Sequence, residues 1–417
     1  MTSFHLVLAA GGALLLIGLI MVFSATSVDS LQERGSVYAS FSTQLVFAVI
    51  GLAAFWVALR MRPTMLRRTA VPAMLIAVVL LLLVLIPGIG TEYNQARRWF
   101  EIGTLSMQPS ELAKLAFVLW GADLLVRKRK LIDQWHHLLV PLVPAGILLA
   151  ALVLLQPNLG TAIVFLLILF SLLWSVGAPA RLFVTMGTAV VGAIALMIVV
   201  EPYRAARLTG FLDPFADPNG ATLQAANGLY ALATGGWWGV GLGNSRMKWG
   251  LLPEQDSDFI FSIIGEELGF AGCLLVLALY GLLAFAGLRI ARRTNDQFIR
   301  LAAAAITVWL IGQALINVGY VVGLLPITGL PLPLISSGGT SLVLTMFAVG
   351  VLASFARHEP AAVVYLRRRR RNKWAWLLVP LPRSASSEFK RAVPDGRPAL
   401  GPRTARVCPN APARSRR

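Results

Sequence analysis

The chain has 417 residues, 57% of them hydrophobic and only 13% charged, with a mean hydropathy of +0.72. That composition excludes an ordinary soluble domain, which is closer to one-quarter charged, and points to an all-α polytopic membrane protein. The formal net charge is +18, and the two cysteines, Cys273 and Cys408, and four histidines exclude a disulfide framework and a Cys/His metal centre.

Ten apolar stretches are long enough, or nearly so, to cross about 30 Å of hydrocarbon as helices. They are 5–24, 42–59, 70–87, 110–126, 137–155, 160–177, 182–200, 260–287, 301–323 and 339–356. The first has no Lys or Arg ahead of it and a long apolar run, so it reads as a retained helix rather than a signal peptide.

Basic residues set the orientation. Arg60, Arg62, Arg67 and Arg68 follow the second stretch, Arg127 to Lys130 the fourth, and Arg289, Arg292, Arg293 and Arg300 the eighth; Arg367–Arg371 follows the tenth. With ten spans all of these lie on one side, the cytoplasm, and both termini are cytoplasmic. His136 and His137 then sit at the entrance of the fifth stretch and read as interfacial.

Three segments on the outer side are rich in polar or turn-forming residues: Gly88–Gln108, the long loop 201–257, and Leu324–Gly339. A long connection in a compact protein is usually functional, so function is expected on the outer face. The chain thus divides into a membrane domain, 1–357, and a tail, 358–417. The tail is rich in Arg, Pro, Ser and Ala and reads as disordered, its arginine run lying against anionic headgroups rather than nucleic acid.

Several constellations carry chemistry. Arg97, Arg98 and Trp99 suit a phosphate or pyrophosphate, since a guanidinium pairs with it in bidentate fashion; headgroup anchoring is the alternative. Ser110 reads as the cap of the fourth helix. Glu111 and Lys114 are three apart and share a helix face, either as a functional intramembrane charge or as a structural ion pair. Gln156-Pro157-Asn158 reads as a turn capping the sixth helix. Arg204 and Arg207 open the long loop, and a helix is expected over about 222–233. The glycines from Gly235 to Gly243 let backbone come close to a ligand or to the membrane surface. Lys248 is the last basic residue before an acidic stretch, Glu254, Asp256 and Asp258, followed by the apolar eighth helix. Glu266 and Glu267 lie deeper in that helix, with side chains about 100° apart. Ser337, Gly338 and Gly339 open the tenth helix, where backbone amides can hold an anion.

Together these segments resemble one family. Arg97-Arg98-Trp99, Gln108-Pro109-Ser110-Glu111-Leu112-Ala113-Lys114, Gln156-Pro157 with Leu159-Gly160-Thr161, Gly241-Leu242-Gly243 with Ser245, Leu252-Pro253-Glu254 through Asp258-Phe259-Ile260-Phe261, Gly265-Glu266-Glu267-Leu268-Gly269, and Pro326 through Pro333 with Ser337-Gly338-Gly339 resemble the SEDS family (shape, elongation, division and sporulation). The likeness is greater to its division branch, FtsW, than to its elongation branch, RodA. Asn158, Ser337 and Thr340 depart from the family pattern, which has Asp, Tyr and Ser there.

The resemblance implies a peptidoglycan glycosyltransferase that polymerises lipid II into glycan strands on the outer face. It also implies a class B penicillin-binding protein (an FtsI-like transpeptidase) and other division proteins as partners, at the septum. The family's catalytic aspartate corresponds to Asp258, and its membrane Glu/Lys pair to Glu111 and Lys114. Such an enzyme needs cations for the pyrophosphate, for which Arg97, Arg98, Arg204, Arg207 and Lys248 are candidates; Glu254, toward sugar or cation, and Ser337, Gly338 and Gly339, toward an anion, are further candidates for binding substrate. No cofactor is required by the sequence; Mg2+ or Mn2+ on the pyrophosphate is compatible with it, but no ligand cluster demands one.

Among the three acids, Asp258 is expected in the first turn of the eighth helix, where the dipole favours its charge. Asp256 is expected in an exposed loop with no positioned partner, and Glu254 farther from the helix. A lipid II flippase and a non-catalytic scaffold are the competing functions; the one-sided placement of polar motifs argues against a carrier with a midplane site.

Overall fold

The computed structural model describes residues 1–93, 96–102, 105–128, 140–188, 192, 213, 215 and 222–368. Arg204, Arg207, His136, His137, Cys408 and the tail beyond 368 lie outside these residues. The fold is mostly helical and polytopic, and seven described helices are long and apolar enough to cross a membrane.

Helix α1 (Thr2–Arg34) ends at Gly35 in the left-handed conformation, and α2 (Ala39–Arg60) follows. An extended Arg62 and Pro63 at the first helical position then open α3 (Pro63–Leu83), since proline fixes a helical φ where no N–H is needed. Helix α4 (Pro109–Arg127) also begins with proline. Its N-cap is Gln108, not Ser110 as expected, because Pro109 already occupies the first turn. Helices α5 (Leu142–Leu154) and α6 (Leu159–Val176) are joined by the expected turn, in which the Asn158 side chain accepts from the Thr161 N–H at 3.1 Å. Residues 180–188 are helical.

Within the long loop, α7 (Leu223–Gly235) matches the expected helix. Three long elements complete the bundle: α8 (Ile260–Arg293), α9 (Gln297–Val321) and α10 (Gly339–Ala356). Asp296 caps α9 by accepting from the Phe298 and Ile299 N–H groups.

Two expectations change. The segment expected as part of an all-α protein holds a small antiparallel sheet, in the order β1 (Thr91–Tyr93), β2 (Ala96–Ile102) and β3 (Leu105–Met107), so the protein is not purely α. The tail is helical at its start, in α11 (Pro360–Arg368), where Pro360 opens the turn and the alanines and valines that follow favour packing: Ala362 is fully buried. Of the ten expected spans, α4 does not rank among the seven because it carries Glu111, Lys114, Asp123 and Arg127. The described helix of the fifth is only 13 residues long, and the seventh lies largely outside the described residues.

Helix pairs α2–α10, α3–α4, α1–α8 and α8–α9 form the bundle core. Close approach depends on small residues, as is general between membrane helices: a Cβ at Gly350 would lie 2.6 Å from the Phe55 carbonyl oxygen. Helix α8 is about 50 Å long at 1.5 Å per residue, more than a membrane needs, and it breaks at Gly269 (φ 68°, ψ −168°).

Candidate active site

Asp258 lies two residues before α8, not in its first turn. The chain reaches it through a tight turn in which Glu254 has φ 56° and its carbonyl accepts from the N–H groups of Ser257 and Phe259. The apolar run then starts at Phe259, which is buried together with Phe261.

The backbone of this turn is gripped from two directions. From α9, Asn317 Nδ2 donates to the Asp258 carbonyl at 2.9 Å and to the Leu330 carbonyl, and the single O–H of Tyr320 is shared between the same two carbonyl oxygens, 2.9 Å from each. From the start of α10, Ser336 Oγ donates to the Ser257 carbonyl at 2.5 Å, and Ser337 donates its N–H to the Asp256 carbonyl and its Oγ to Asp256 Oδ2 at 2.5 Å. Asp258 is half-buried. Its side chain passes over Gly329 (φ 69°), where a Cβ would come within 3.3 Å of Asp258 Oδ2. Only a glycine suits that backbone and that approach.

Asp256 therefore has a positioned partner, contrary to expectation. Glu254 is exposed and accepts from Ser257 Oγ at 2.9 Å. The three acids point to different neighbours and do not converge on a cation. Among the described residues no three His, Cys, Asp or Glu side chains group as a metal site.

A second constellation connects to the first. Lys114 and Glu111 are fully buried in α4 and pair at 2.8 Å. The same ammonium donates to Gln313 Oε1 at 2.8 Å and lies 5.3 Å from the centre of the Trp309 ring. Trp309 Nε1 also donates to Gln313 Oε1, while Gln313 Nε2 donates to the Pro331 carbonyl at 2.8 Å. Gln313, Asn317 and Tyr320 occupy positions i, i+4 and i+7 of α9 and so form one polar stripe. The stripe runs from the Lys114 pair to the Asp258 carbonyl and holds the 330–331 backbone between them. None of these three was singled out in the sequence. The available signal was three polar side chains at helical spacing inside an apolar span.

The arginines are placed differently from a joint clamp. Arg97 and Arg98 are neighbours on β2, so their side chains leave opposite faces of the strand. Arg97 pairs with Glu92 at 3.0 Å, while Arg98 donates to the carbonyls of Gln156 at 2.8 Å and Pro157 at 2.5 Å, tying the sheet to the α5–α6 turn. Lys248 is buried, not exposed, and its ammonium donates to the Gly243 carbonyl. Gly338 is the N-cap of α10, and Gly339 is packed so closely that a Cβ would meet the Phe47 ring at 2.5 Å.

The glycine-rich segment packs closely against the broken backbone of α8: a Cβ at Gly239 would collide with the Glu267 carbonyl oxygen. The kink at Gly269 releases main-chain groups that the segment satisfies: Val240 and Gly241 N–H donate to the Glu266 and Glu267 carbonyls, and Phe270 and Ala271 N–H donate to the Gly236 and Trp237 carbonyls. The two glutamate side chains complete this seam. Glu266 accepts from Ser245 Oγ at 2.5 Å and from the Arg246 N–H, and Glu267 accepts from Ser24 Oγ of α1 at 2.6 Å. Gln255 adds a link from the acidic turn to Asp29 of α1 at 2.8 Å.

The family model described as "Cell cycle protein", FTSW_RODA_SPOVE, matches residues 4–361. The chain belongs to this family, the SEDS family. Family members with similar sequences include the "Probable peptidoglycan glycosyltransferase FtsW" of Mycobacterium tuberculosis, 46% identical over 99% of this chain and 81% of that protein. The "Stage V sporulation protein E" of Bacillus subtilis is 39% identical over 83% of this chain and 94% of that one. The fold matches a chain in a structure described as the coordination of polymerization and crosslinking by a peptidoglycan synthase complex (28% identity, 85% of this chain and 97% of that chain, TM-score 0.71). It also matches the rod shape determining protein RodA of Thermus thermophilus (27% identity, 85% and 96%, TM-score 0.63).

Proposed function

We propose that this protein is a peptidoglycan glycosyltransferase of the FtsW type, polymerising lipid II on the outer face of the cytoplasmic membrane with Asp258 as general base. The observation that carries this reading is the hold on Asp258: its carbonyl accepts from Asn317 and Tyr320 of α9, while the residue is only half-buried and its carboxylate lies beside Gly329. A catalytic base must be positioned before its pKa matters. The 46% identity to an FtsW over nearly the whole chain supports the assignment.

In this reading the acceptor sugar's 4-hydroxyl gives its proton to a carboxylate oxygen of Asp258 as the hydroxyl oxygen bonds to the anomeric carbon of the donor. The bond from that carbon to the pyrophosphate oxygen breaks, and its electron pair leaves with the undecaprenyl pyrophosphate. Cationic and backbone N–H donors around the departing phosphates stabilise the charge that develops. Arg97, whose partner Glu92 is exposed, is able to turn to a phosphate. Arg204 and Arg207 are assigned the same task from sequence. Arg98, Glu111, Lys114 and Lys248 serve the site by holding its frame. Glu254 and the start of α10 at Ser337, Gly338 and Gly339 border the sugar path.

The same reading has ten spans, both termini in the cytoplasm and the loop 201–257 outside, with a membrane domain over 1–357 and a basic tail over 358–417. A class B penicillin-binding protein supplies transpeptidation, and the septum is the working location. The test is incubation of the purified chain with labelled lipid II. Glycan polymer supports the reading, whereas movement of lipid II across liposomes without polymer supports a flippase.

A further inference from the structure

On the end of the bundle opposite Asp258, a cavity of about 370 Å³ is lined by Thr64, Arg67 and Arg68 of α3 and by Asp123 and Arg127 of α4. Three arginines face one carboxylate, so the cavity carries an excess of positive charge. Its construction is specific. Asp123 is buried and accepts from Arg67 Nε at 2.7 Å through one oxygen and pairs with Arg127 Nη2 at 2.6 Å through the other. Arg67 is further fixed by lying 5.7 Å from the centre of the Phe298 ring of α9. A buried acid that spends one oxygen on each guanidinium orients both arginines while leaving their remaining N–H groups for another acceptor. Arg68 has no acidic partner among the described residues, and the Thr64 hydroxyl lies on the same rim.

We propose that Thr64, Arg67, Arg68 and Arg127, braced by Asp123, form a binding site for a phosphate group, carried by an anionic phospholipid or free in solution. Forked guanidinium donors match phosphate oxygens, and arginines at the end of membrane helices are placed at headgroup depth. The glycosyltransferase site does not account for this cavity. The leaflet it would face, the inner one, rests on the proposed topology; the pocket itself does not.

The test uses the full chain in nanodiscs of phosphatidylcholine alone or of equal parts phosphatidylcholine and phosphatidylglycerol. Both leaflets then carry the same lipids, so the result is independent of orientation and of polymerase activity. Native mass spectrometry counts retained phosphatidylglycerol, and thermal unfolding in phosphatidylcholine discs is followed as inorganic phosphate is added. Arg68→Gln removes a cation that braces nothing and should fold normally. If the ligand is a lipid headgroup, Arg68→Gln lowers phosphatidylglycerol retention about fivefold. If it is free phosphate, the wild type is stabilised by phosphate and Arg68→Gln is not. Absence of binding to the wild type in both arms, or equal binding by Arg68→Gln, overturns the proposal.

Discussion

Gln313 joins Lys114 to the loop that borders Asp258: its Oε1 accepts from the buried ammonium at 2.8 Å, and its Nε2 donates to the Pro331 carbonyl at 2.8 Å. The buried ion pair is thus an anchor for the backbone beside the candidate base rather than a separate feature. Asn317 and Tyr320, further along the same face of α9, hold the Asp258 carbonyl itself.

Replacing Gln313 with Leu keeps much of its volume but leaves the Pro331 carbonyl and the Lys114 ammonium each one partner short. An unsatisfied buried polar group costs about 1–3 kcal/mol. The expected result is a lowered unfolding temperature in detergent and a polymerisation rate reduced more than substrate binding. Unchanged stability and rate would show that the stripe positions nothing.

Lys114→Ala leaves the Glu111 carboxylate buried and unpaired, a loss of about 3–5 kcal/mol. Replacing both, as Glu111→Gln with Lys114→Met, removes the uncompensated charge and should recover part of that stability. Thermal unfolding of the two variants decides; a double variant as unstable as Lys114→Ala would contradict the ion-pair account.

Gly329→Ala places a methyl group against Asp258 Oδ2 on a backbone with φ 69°. Alanine where φ is positive is destabilising by more than the few tenths to about 1 kcal/mol gained at compatible sites, and here it also displaces the carboxylate. Polymerisation should fall at least several-fold with the protein still inserted and folded. Asp256→Asn keeps an acceptor for Ser337 and should cost much less.

Orientation is tested by cysteine labelling in intact cells. Asn219→Cys, in the long loop, should react with an impermeant reagent, and Ser386→Cys, in the tail, should not. The reverse pattern would invert the topology and remove the proposed site from the outer face.

Much of this was legible in the sequence, for identifiable reasons. Apolar runs marked the described spans, and the Asn158 turn and α7 were marked by capping and periodicity. Glu111–Lys114 was readable because their spacing of three forces them onto one face. What stayed hidden depends on pairings distant in sequence. Asp256 with Ser337 is separated by 81 positions, and Lys114 with Gln313 by 199, and no local pattern encodes either. The sheet at 91–107 was missed because its strands are short and interrupted by charge, and the glycine segment because its partner is a break in α8 that only Gly269 announces.

The central claim is tested most directly by the rate of glycan formation from labelled lipid II by purified Asp258→Asn. The substitution is nearly isosteric, and the turn is held through the backbone carbonyl, which it leaves in place. The account predicts a loss of about 10²-fold or more with unfolding temperature and binding to the proposed transpeptidase partner near those of the wild type. A folded Asp258→Asn protein that makes glycan strands at the wild-type rate would contradict it.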